Sequence, residues 1–354
     1  MTMPLTSPAK NPAKSSSARR GLQKSWRWLL GGLGLALAWH ALRGVAWTAV
    51  WDLLAGLGPS AILIILVINL LMLPVMTARW WLLLRTLGSP VDLLAACAYR
   101  ISANAVSYLT PGPHFGGEPL SVYLLHQRHG IPLSCAATSV AVDRLLEFLA
   151  SLIVLAFCLI YLAVTESGPF SGNWALSIVI AVLAVFTFIL AALFTGRRPF
   201  SRSVFLFKRF DGLMDAMAQG ESMAETLFRG HRGQFLLANM LSLGHWLGVF
   251  AEFWLMSVFL GIPLSFGQLT AVVAVARLSF FTPLPAGIGV LESALPWVTA
   301  ALGLGGAMGI SLCLIIRFRD LLFSLAGLGL TMQYLTCRSK ASIIKDSQEK
   351  DTHG

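Results

Sequence analysis

Charged side chains inside apolar stretches are the groups in this sequence that could do chemistry. A charge at the centre of a lipid bilayer costs at least about 2.5–3.5 kcal/mol on insertion scales, so such residues are expected to face a protein interior or a wet cavity. Two roles stay open for them: a structural ion network, or a path for phosphate, whose oxygens match the two parallel N–H groups of arginine. The ten residues are Arg100, Asp143, Arg144, Glu147, Glu252, Arg277, Glu292, Arg317, Arg319 and Asp320.

Two short stretches rich in proline and glycine interrupt the apolar runs. Thr110–Pro119 reads TPGPHFGGEP, and Thr282–Glu292 reads TPLPAGIGVLE. Proline breaks a helix, and a break at membrane depth is tolerated only where protein or water lines it. The helices that restart near Gly116 and near Gly287 are expected to present free N–H groups and positive dipole ends. We predict that they form an anion site near the midplane, where Gly117 lets the backbone approach a head group.

The polar residues of the first break have a second interpretation. His114 and Glu118 lie within it and could do acid–base work. Glu118 also occupies a position where an acidic residue stabilises the start of a helix. His245 stands alone in an apolar segment and is expected to be hydrogen-bonded locally.

The two breaks match each other along the chain. Thr110–Pro113 aligns with Thr282–Pro285 in the pattern Thr-Pro-x-Pro, and Gly117 then falls on Gly289. This similarity predicts an internal repeat.

The flanks of the two breaks repeat as well. Arg100 precedes the first break and Arg277 the second, while DRLLEF at Asp143–Phe148 is similar to RDLLFS at Arg319–Ser324. The charge distribution makes the halves run in opposite senses across the membrane. Inverted repeats with broken helices are typical of secondary transporters, whose substrate sites lie at the breaks.

The composition predicts the scaffold that positions these residues. The chain has 354 residues, of which 56% are hydrophobic and 12% charged, against about 25% charged in soluble domains. Its mean hydropathy is +0.74. Windows of about 20 apolar residues are long enough to cross a bilayer. We predict an all-α polytopic membrane protein with about six transmembrane helices, at 28–48, 60–83, 133–163, 174–196, 233–260 and 305–335, plus two re-entrant broken-helix hairpins at 92–127 and 267–302.

The basic residues predict the orientation. Six of them precede the first crossing, Arg79 and Arg85 end the second, and seven lie within 197–232. Because Lys and Arg concentrate on the cytoplasmic side, both termini are expected to be cytoplasmic. Two short full crossings in place of each re-entrant hairpin would leave this pattern unchanged, but the length of 92–127 favours re-entrance.

The remaining segments complete the domain division. Residues 1–27 form a disordered basic cytoplasmic tail, 28–335 the transmembrane domain and 336–354 a polar cytoplasmic tail. The stretch 203–218 is either an interfacial helix or a solvated linker helix. The net charge of +10 is spread over short flanks, so no nucleic-acid partner is expected. No cofactor or metal site is predicted.

These motifs resemble a known family. They are Arg79-Trp80, Asn104, Gly116-Gly117-Glu118, Asp143-Arg144 with Glu147, and the run from Pro283 to Glu292. The chain resembles, over about 28–335, the transmembrane flippase region of bacterial lysylphosphatidylglycerol synthases and the stand-alone flippase-like proteins that share it. The resemblance implies two inverted re-entrant hairpins and movement of a phospholipid head group between the leaflets of the bacterial inner membrane.

The resemblance does not identify the lipid. The complete synthases carry an aminoacyl-transferase domain after the membrane region, and this sequence has none. We therefore expect a stand-alone member whose lipid need not be aminoacylated. Some such proteins are associated with hopanoid or other isoprenoid lipids, and some archaeal ones are labelled glycosyltransferases.

The leading hypothesis is a lipid flippase that is not an enzyme. No G-x-x-x-x-G-K-[ST] motif for ATP is present, so transport would be passive or ion-coupled. A membrane-embedded lipid transferase using His114, Glu118 or Asp143, and an accessory subunit of a lipid pathway, are the alternatives. The expected partners are lipids with an anionic or phosphate-bearing head group; a second copy of the chain and lipid-synthesis enzymes stay open. The predicted substrate-binding residues are Arg100, Asn104, Gly116, Gly117, Glu118, Asp143, Arg144, Glu147, Arg277, Gly287, Gly289, Glu292, Arg317, Arg319 and Asp320.

Overall fold

The computed structural model describes most of the membrane region. It covers residues 42–89, 91–110, 116–165, 232–280 and 287–351, together with single positions or short pieces at 32, 34, 36–39, 184 and 282. All regular secondary structure in these residues is helical. The predicted crossing at 174–196, the stretch 203–218, His114 and the tail 1–27 lie outside this part apart from position 184.

Nine helices follow one another in the described chain. They are α1 Trp47–Ala55, α2 Pro59–Thr86, α3 Leu93–Leu109, α4 Glu118–His129, α5 Leu133–Val164, α6 Arg232–Phe259, α7 Phe266–Phe280, α8 Val290–Ala301 and α9 Gly306–Asp351. Within α2, α5 and α6, the segments Pro59–Thr86, Leu133–Val164 and Leu236–Phe259 are long and apolar enough to cross a membrane. The protein is an all-α membrane protein, as predicted.

Two predicted crossings differ from the structure at their ends. The first was expected over 28–48, but helical residues end at Arg43, a turn follows at Gly44, and α1 starts anew at Trp47. The last was expected to end at 335, whereas α9 continues to Asp351. The polar residues after 335 end the apolar pattern but contain no proline, so the helix can continue through them.

Each interrupted segment is a pair of short helices. The arms of the first, α3 and α4, have 17 and 12 residues, and those of the second, α7 and α8, have 15 and 12. At 1.5 Å per residue these lengths are about 18–25 Å, below the roughly 30 Å of a bilayer core. The arms of each pair pack on one another. The lengths support re-entrant hairpins.

The helices repeat with a nearly constant spacing along the chain. The ends of α2 and α6, Thr86 and Phe259, are 173 positions apart, and so are the starts of α3 and α7, Leu93 and Phe266. The starts of α5 and α9, Leu133 and Gly306, have the same separation. The contacts between the two sets of helices are reciprocal. Helix α3 of the first set packs on α9 of the second, α7 of the second packs on α5 of the first, and α2 and α6 pack on each other. The described helices therefore divide into two halves, α2–α5 and α6–α9, which have the same order and spacing of helices and which pack on each other.

The central helices α2 and α6 run antiparallel. Asn69 and Arg79 on α2 bond to Glu252 and Ser242 on α6, so the order along one helix is the reverse of that along the other. With the spacing of 173, Asn69 corresponds to Ser242 and Arg79 to Glu252. The two contacts are thus equivalents of each other across the interface.

Close helix packing around this centre depends on small residues. A Cβ added at Gly327 of α9 would lie 2.5 Å from the carbonyl oxygen of Ile101 on α3, and one at Gly309 would lie 2.5 Å from the backbone of Leu295 on α8. Such approaches are typical of membrane helices, which gain stability from van der Waals contact. They hold the two hairpins against α9.

Candidate functional site

A cavity of about 670 Å³ lies between the two halves. Helices α2, α3 and α5 of the first half and α6, α7 and α9 of the second line it. Six of the fifteen predicted site residues are among its walls: Asn104, Arg144, Glu147, Arg277, Arg319 and Asp320. The expectation that intramembrane charges face a protein interior or a cavity is confirmed for the five charged residues of this set.

The deepest ion pairs join three helices of the first half. Arg79 Nε lies 2.7 Å from one carboxylate oxygen of Asp143, and an Arg100 nitrogen lies 2.6 Å from the other. All three residues are only 3% exposed. Asp143 therefore pairs with arginines of α2 and α3, outside its own helix α5.

Arg79 was interpreted as a flanking charge that sets orientation, and the structure places it in the core. It also donates to Ser242 of α6 at 3.1 Å and lies 3.3 Å from Glu147. Its position near the end of an apolar run made it look like a positive-inside residue. The signal that could have identified it is the Arg79-Trp80 pair among the motifs that carry the family resemblance. Trp80 is buried as well, at 2% exposed.

Arg144 connects the cavity to the first break. It contacts Glu118 at 3.0 Å and Glu147, one turn along α5, at 2.9 Å. Its guanidinium also donates to the side-chain oxygen of Asn104 at 3.5 Å. The Arg144–Glu147 pair lies within one helical turn and belongs to a structural ion network, one of the two roles that the sequence left open.

The second half has its own set of ion pairs. Arg317 lies 2.8 Å from Glu292 and donates to the Tyr108 hydroxyl at 2.9 Å. Arg319 forms salt bridges with Glu252 of α6 and with Asp320, its neighbour. Tyr108 and Glu252 both line the cavity, so these pairs border the same space.

The N–H groups predicted to be free at the two helix restarts are bonded to the chain's own side chains. Gly116 N–H donates to the Glu118 carboxylate at 2.6 Å, and Gly289 N–H donates to Glu292 at 2.7 Å. Gly117 N–H donates to the Ser107 hydroxyl at 2.8 Å. The expectation of free donors is wrong for these three groups. An acid in the first turn satisfies Gly116 and Gly289 and favours the helix dipole, and the Ser107 hydroxyl satisfies Gly117.

Glycine at the breaks has a structural reason. A Cβ at Gly117 would lie 1.8 Å from the carbonyl oxygen of Ala103 on the other arm, and one at Gly289 would lie 2.0 Å from that of Gly34. Gly287 and Gly289 also have φ of +62° and +87°, a region that favours glycine. The close approach seen here is to neighbouring backbone; approach of a head group stays a prediction.

Similar hydrogen bonds and ion pairs occur at similar positions in the two halves. The hydroxyls of Thr110 and Thr282 each donate to a serine carbonyl three residues earlier, at 3.2 and 2.7 Å. Arg144 bonds to the glutamate of its hairpin, Glu118, just as Arg317 bonds to Glu292.

The register of the two halves differs from the one drawn from the DRLLEF and RDLLFS motifs. With a spacing of 173, Arg144 corresponds to Arg317, Glu147 corresponds to Asp320, and Arg319 falls on Leu146. The motif alignment, which places Asp143 and Arg144 on Arg319 and Asp320, is therefore replaced. Arg100 does not correspond to Arg277 either, because Arg100 lies ten residues before Thr110 whereas Arg277 lies five residues before Thr282.

Further cavity residues complete the site. Arg277 donates to Ser151 and lies over the Trp246 ring, 5.1 Å from its centroid. His245 also lines the cavity, and its Nδ1 is buried with no hydrogen-bond partner in the described part of the chain. The prediction that His245 is satisfied locally is therefore wrong for this nitrogen.

The fold and the cavity together define a class of protein. It is a multi-pass helical membrane protein in which two halves border a cavity whose walls include arginines and carboxylates. The family model described as Lysylphosphatidylglycerol synthase TM region matches residues 27–327, and the chain belongs to this family. A comparison with proteins of curated function gives no match.

Proposed function

We propose that the protein is a lipid flippase that moves a phosphate-bearing or anionic head group between leaflets, and that it is not an enzyme. The observation that carries the proposal is the cavity of about 670 Å³, to which both halves contribute arginines. Its size lies within the range of about 300–1,000 Å³ typical of ligand sites. Membership of the lysylphosphatidylglycerol synthase transmembrane family supports a lipid substrate.

The arginines of the cavity are suited to a phosphate that arrives in place of water. Guanidinium offers two parallel N–H groups to a pair of phosphate oxygens and stays charged in the membrane. Arg144 already divides its donors between Glu118 and Glu147. A head group would exchange one of these carboxylates for phosphate, while its acyl chains remain in the bilayer.

We further propose that the halves are inverted in the bacterial inner membrane with both termini cytoplasmic. The antiparallel contact of α2 and α6 supports inversion. A two-fold axis that exchanges antiparallel helices is perpendicular to them, and for helices that cross the bilayer it lies in the membrane plane. The basic tail and the seven Lys and Arg residues of 197–232 support the orientation.

Reconstituted protein tests the proposal. Proteoliposomes with a trace of fluorescent phosphatidylglycerol would be treated with an impermeant quencher, and we expect faster loss of the inner-leaflet signal than in protein-free liposomes. Arg144→Ala should slow this loss. Mass spectrometry of the recovered lipid should show unchanged mass, whereas a transferase would alter it. Rates equal to those of protein-free liposomes would refute the flippase.

A further inference from the structure

Ionised side chains that are buried or half-buried cancel in number. Among the described residues these are six arginines and six carboxylates, and each carboxylate forms a salt bridge with an arginine. The twelve residues are Arg79, Arg100, Arg144, Arg277, Arg317, Arg319, Glu118, Asp143, Glu147, Glu252, Glu292 and Asp320. This ion network is therefore neutral before any lipid enters.

An anionic head group would disturb that balance. It brings one negative charge into a site with low dielectric, where an uncompensated charge is costly. A cation that enters with the head group would restore neutrality. The described residues of the cavity offer one side chain that ordinarily changes charge between pH 5 and 8, the imidazole of His245.

The geometry of His245 fits the uptake of a proton. Its Nδ1 is buried and makes no hydrogen bond within the described chain, although the ring lies in the cavity wall. The ring packs edge-on to Trp246 at a centroid distance of 6.5 Å. Neutral imidazole carries one N–H and charged imidazole carries two. Addition of one proton to the ring is therefore enough to place a positive charge at this site.

The charges around His245 make its protonation depend on an anion. Burial of the ring opposes a positive imidazole first, Glu147 of α5 favours it, and Arg79 of α2, Arg277 of α7 and Arg100 of α3 oppose it. A phosphate bound to the arginines offsets their field at the ring, so the proton and the anion favour each other. The other ionisable groups that share this cavity are Arg144, Glu252, Arg319 and Asp320.

We propose that His245 takes up one proton from water when an anionic head group enters and releases it on the other side, so that the protein moves anionic lipid together with a proton. This inference rests on the proposed flippase and names its coupling ion. One negative charge and one proton cross together, and the step is electrically neutral.

Calorimetry on the full-length protein in detergent micelles tests the coupling. Short-chain phosphatidylglycerol, which carries one negative charge, would be titrated in buffers of different ionisation enthalpy, and the difference in heat counts the protons taken up. We expect uptake approaching one proton per lipid between pH 6 and 8, and affinity that rises by at most about tenfold per pH unit as pH falls. Short-chain phosphatidylcholine, with no net charge, should bind without uptake.

Two variants locate the proton. His245→Gln should bind phosphatidylglycerol with no proton uptake. His126→Gln is the matched control, since the His126 ring is hydrogen-bonded to the Ile131 carbonyl at 2.9 Å, and it should behave as the wild type. Uptake that persists in His245→Gln would place the proton elsewhere and overturn the inference.

The remaining outcomes separate this inference from the flippase itself. Binding of phosphatidylglycerol by the wild type with no proton uptake would overturn the coupling and leave the flippase standing. Failure of both lipids to bind at any pH would refute the proposed function, and the inference with it. If His245→Gln does not fold, the affinity of the wild type across pH decides alone, because an affinity independent of pH contradicts the coupling.

Discussion

Replacement of Gly117 by alanine should destabilise the first hairpin. The new Cβ would lie 1.8 Å from the carbonyl oxygen of Ala103, whereas carbon and oxygen atoms rest at about 3.3 Å or more. The arms must therefore move apart by about 1.5 Å, which also breaks the 2.8 Å bond from Gly117 N–H to Ser107. Overpacking costs about 1–3 kcal/mol and the lost bond about 1 kcal/mol.

Thermal unfolding with a thiol-reactive fluorophore measures this cost, because Cys97, Cys135, Cys158 and Cys313 are buried until the protein unfolds. At about 2–4 °C per kcal/mol, Gly117→Ala should lower the Tm by about 5–15 °C. Gly329→Ala is the matched control, since a Cβ at this exposed position of α9 meets nothing within 4 Å. Equal Tm values for the two variants would refute the packing argument.

The remaining predictions concern charge and topology. Asp143→Asn removes the carboxylate from Arg79 and Arg100 and should lower the free energy of unfolding by about 3–5 kcal/mol. Its Tm should fall below that of Asp52→Asn, a control at an exposed position, and an unchanged Tm would contradict the buried pair. Arg144→Lys keeps the charge but loses the planar fork, so lipid transport in proteoliposomes should fall less than in Arg144→Ala without returning to the wild-type rate, and equal rates in the two variants would count against phosphate binding. Single cysteines at Glu166 and Arg209 in a cysteine-free background should react with an impermeant thiol reagent from opposite faces, and labelling of both from one face would exclude the inverted arrangement.

The sequence alone predicted the crossing helices for a simple physical reason. Apolar runs of membrane-spanning length have few other stable arrangements, and α2, α5 and α6 lie within a few residues of their predicted bounds. The two breaks were also evident, since clustered prolines cannot continue a helix. The cost of a membrane charge identified Arg144 and Glu147 as residues of a protected interior.

The partners of those charges could not be predicted. Arg79 and Asp143 are 64 positions apart, and no periodic pattern records which long-range pairs form. The register of the halves was also hidden, because Arg319 resembles Arg144 in its motif, whereas helix starts and hydrogen bonds align Arg144 with Arg317. The same limit applies to His245. Its Nδ1 has no hydrogen-bond partner among the described residues, and this depends on three-dimensional packing.

The central contact of α2 with α6 makes the two halves electrically unequal. Equivalent positions hold Arg79 and Glu252, so exchange of the halves would reverse the sign of the charge at this interface. In a transporter with identical halves, the inward-facing and outward-facing states would have the same energy in a symmetrical bilayer. Here the two states cannot be mirror equivalents, and the resting protein should favour one of them even without a lipid gradient.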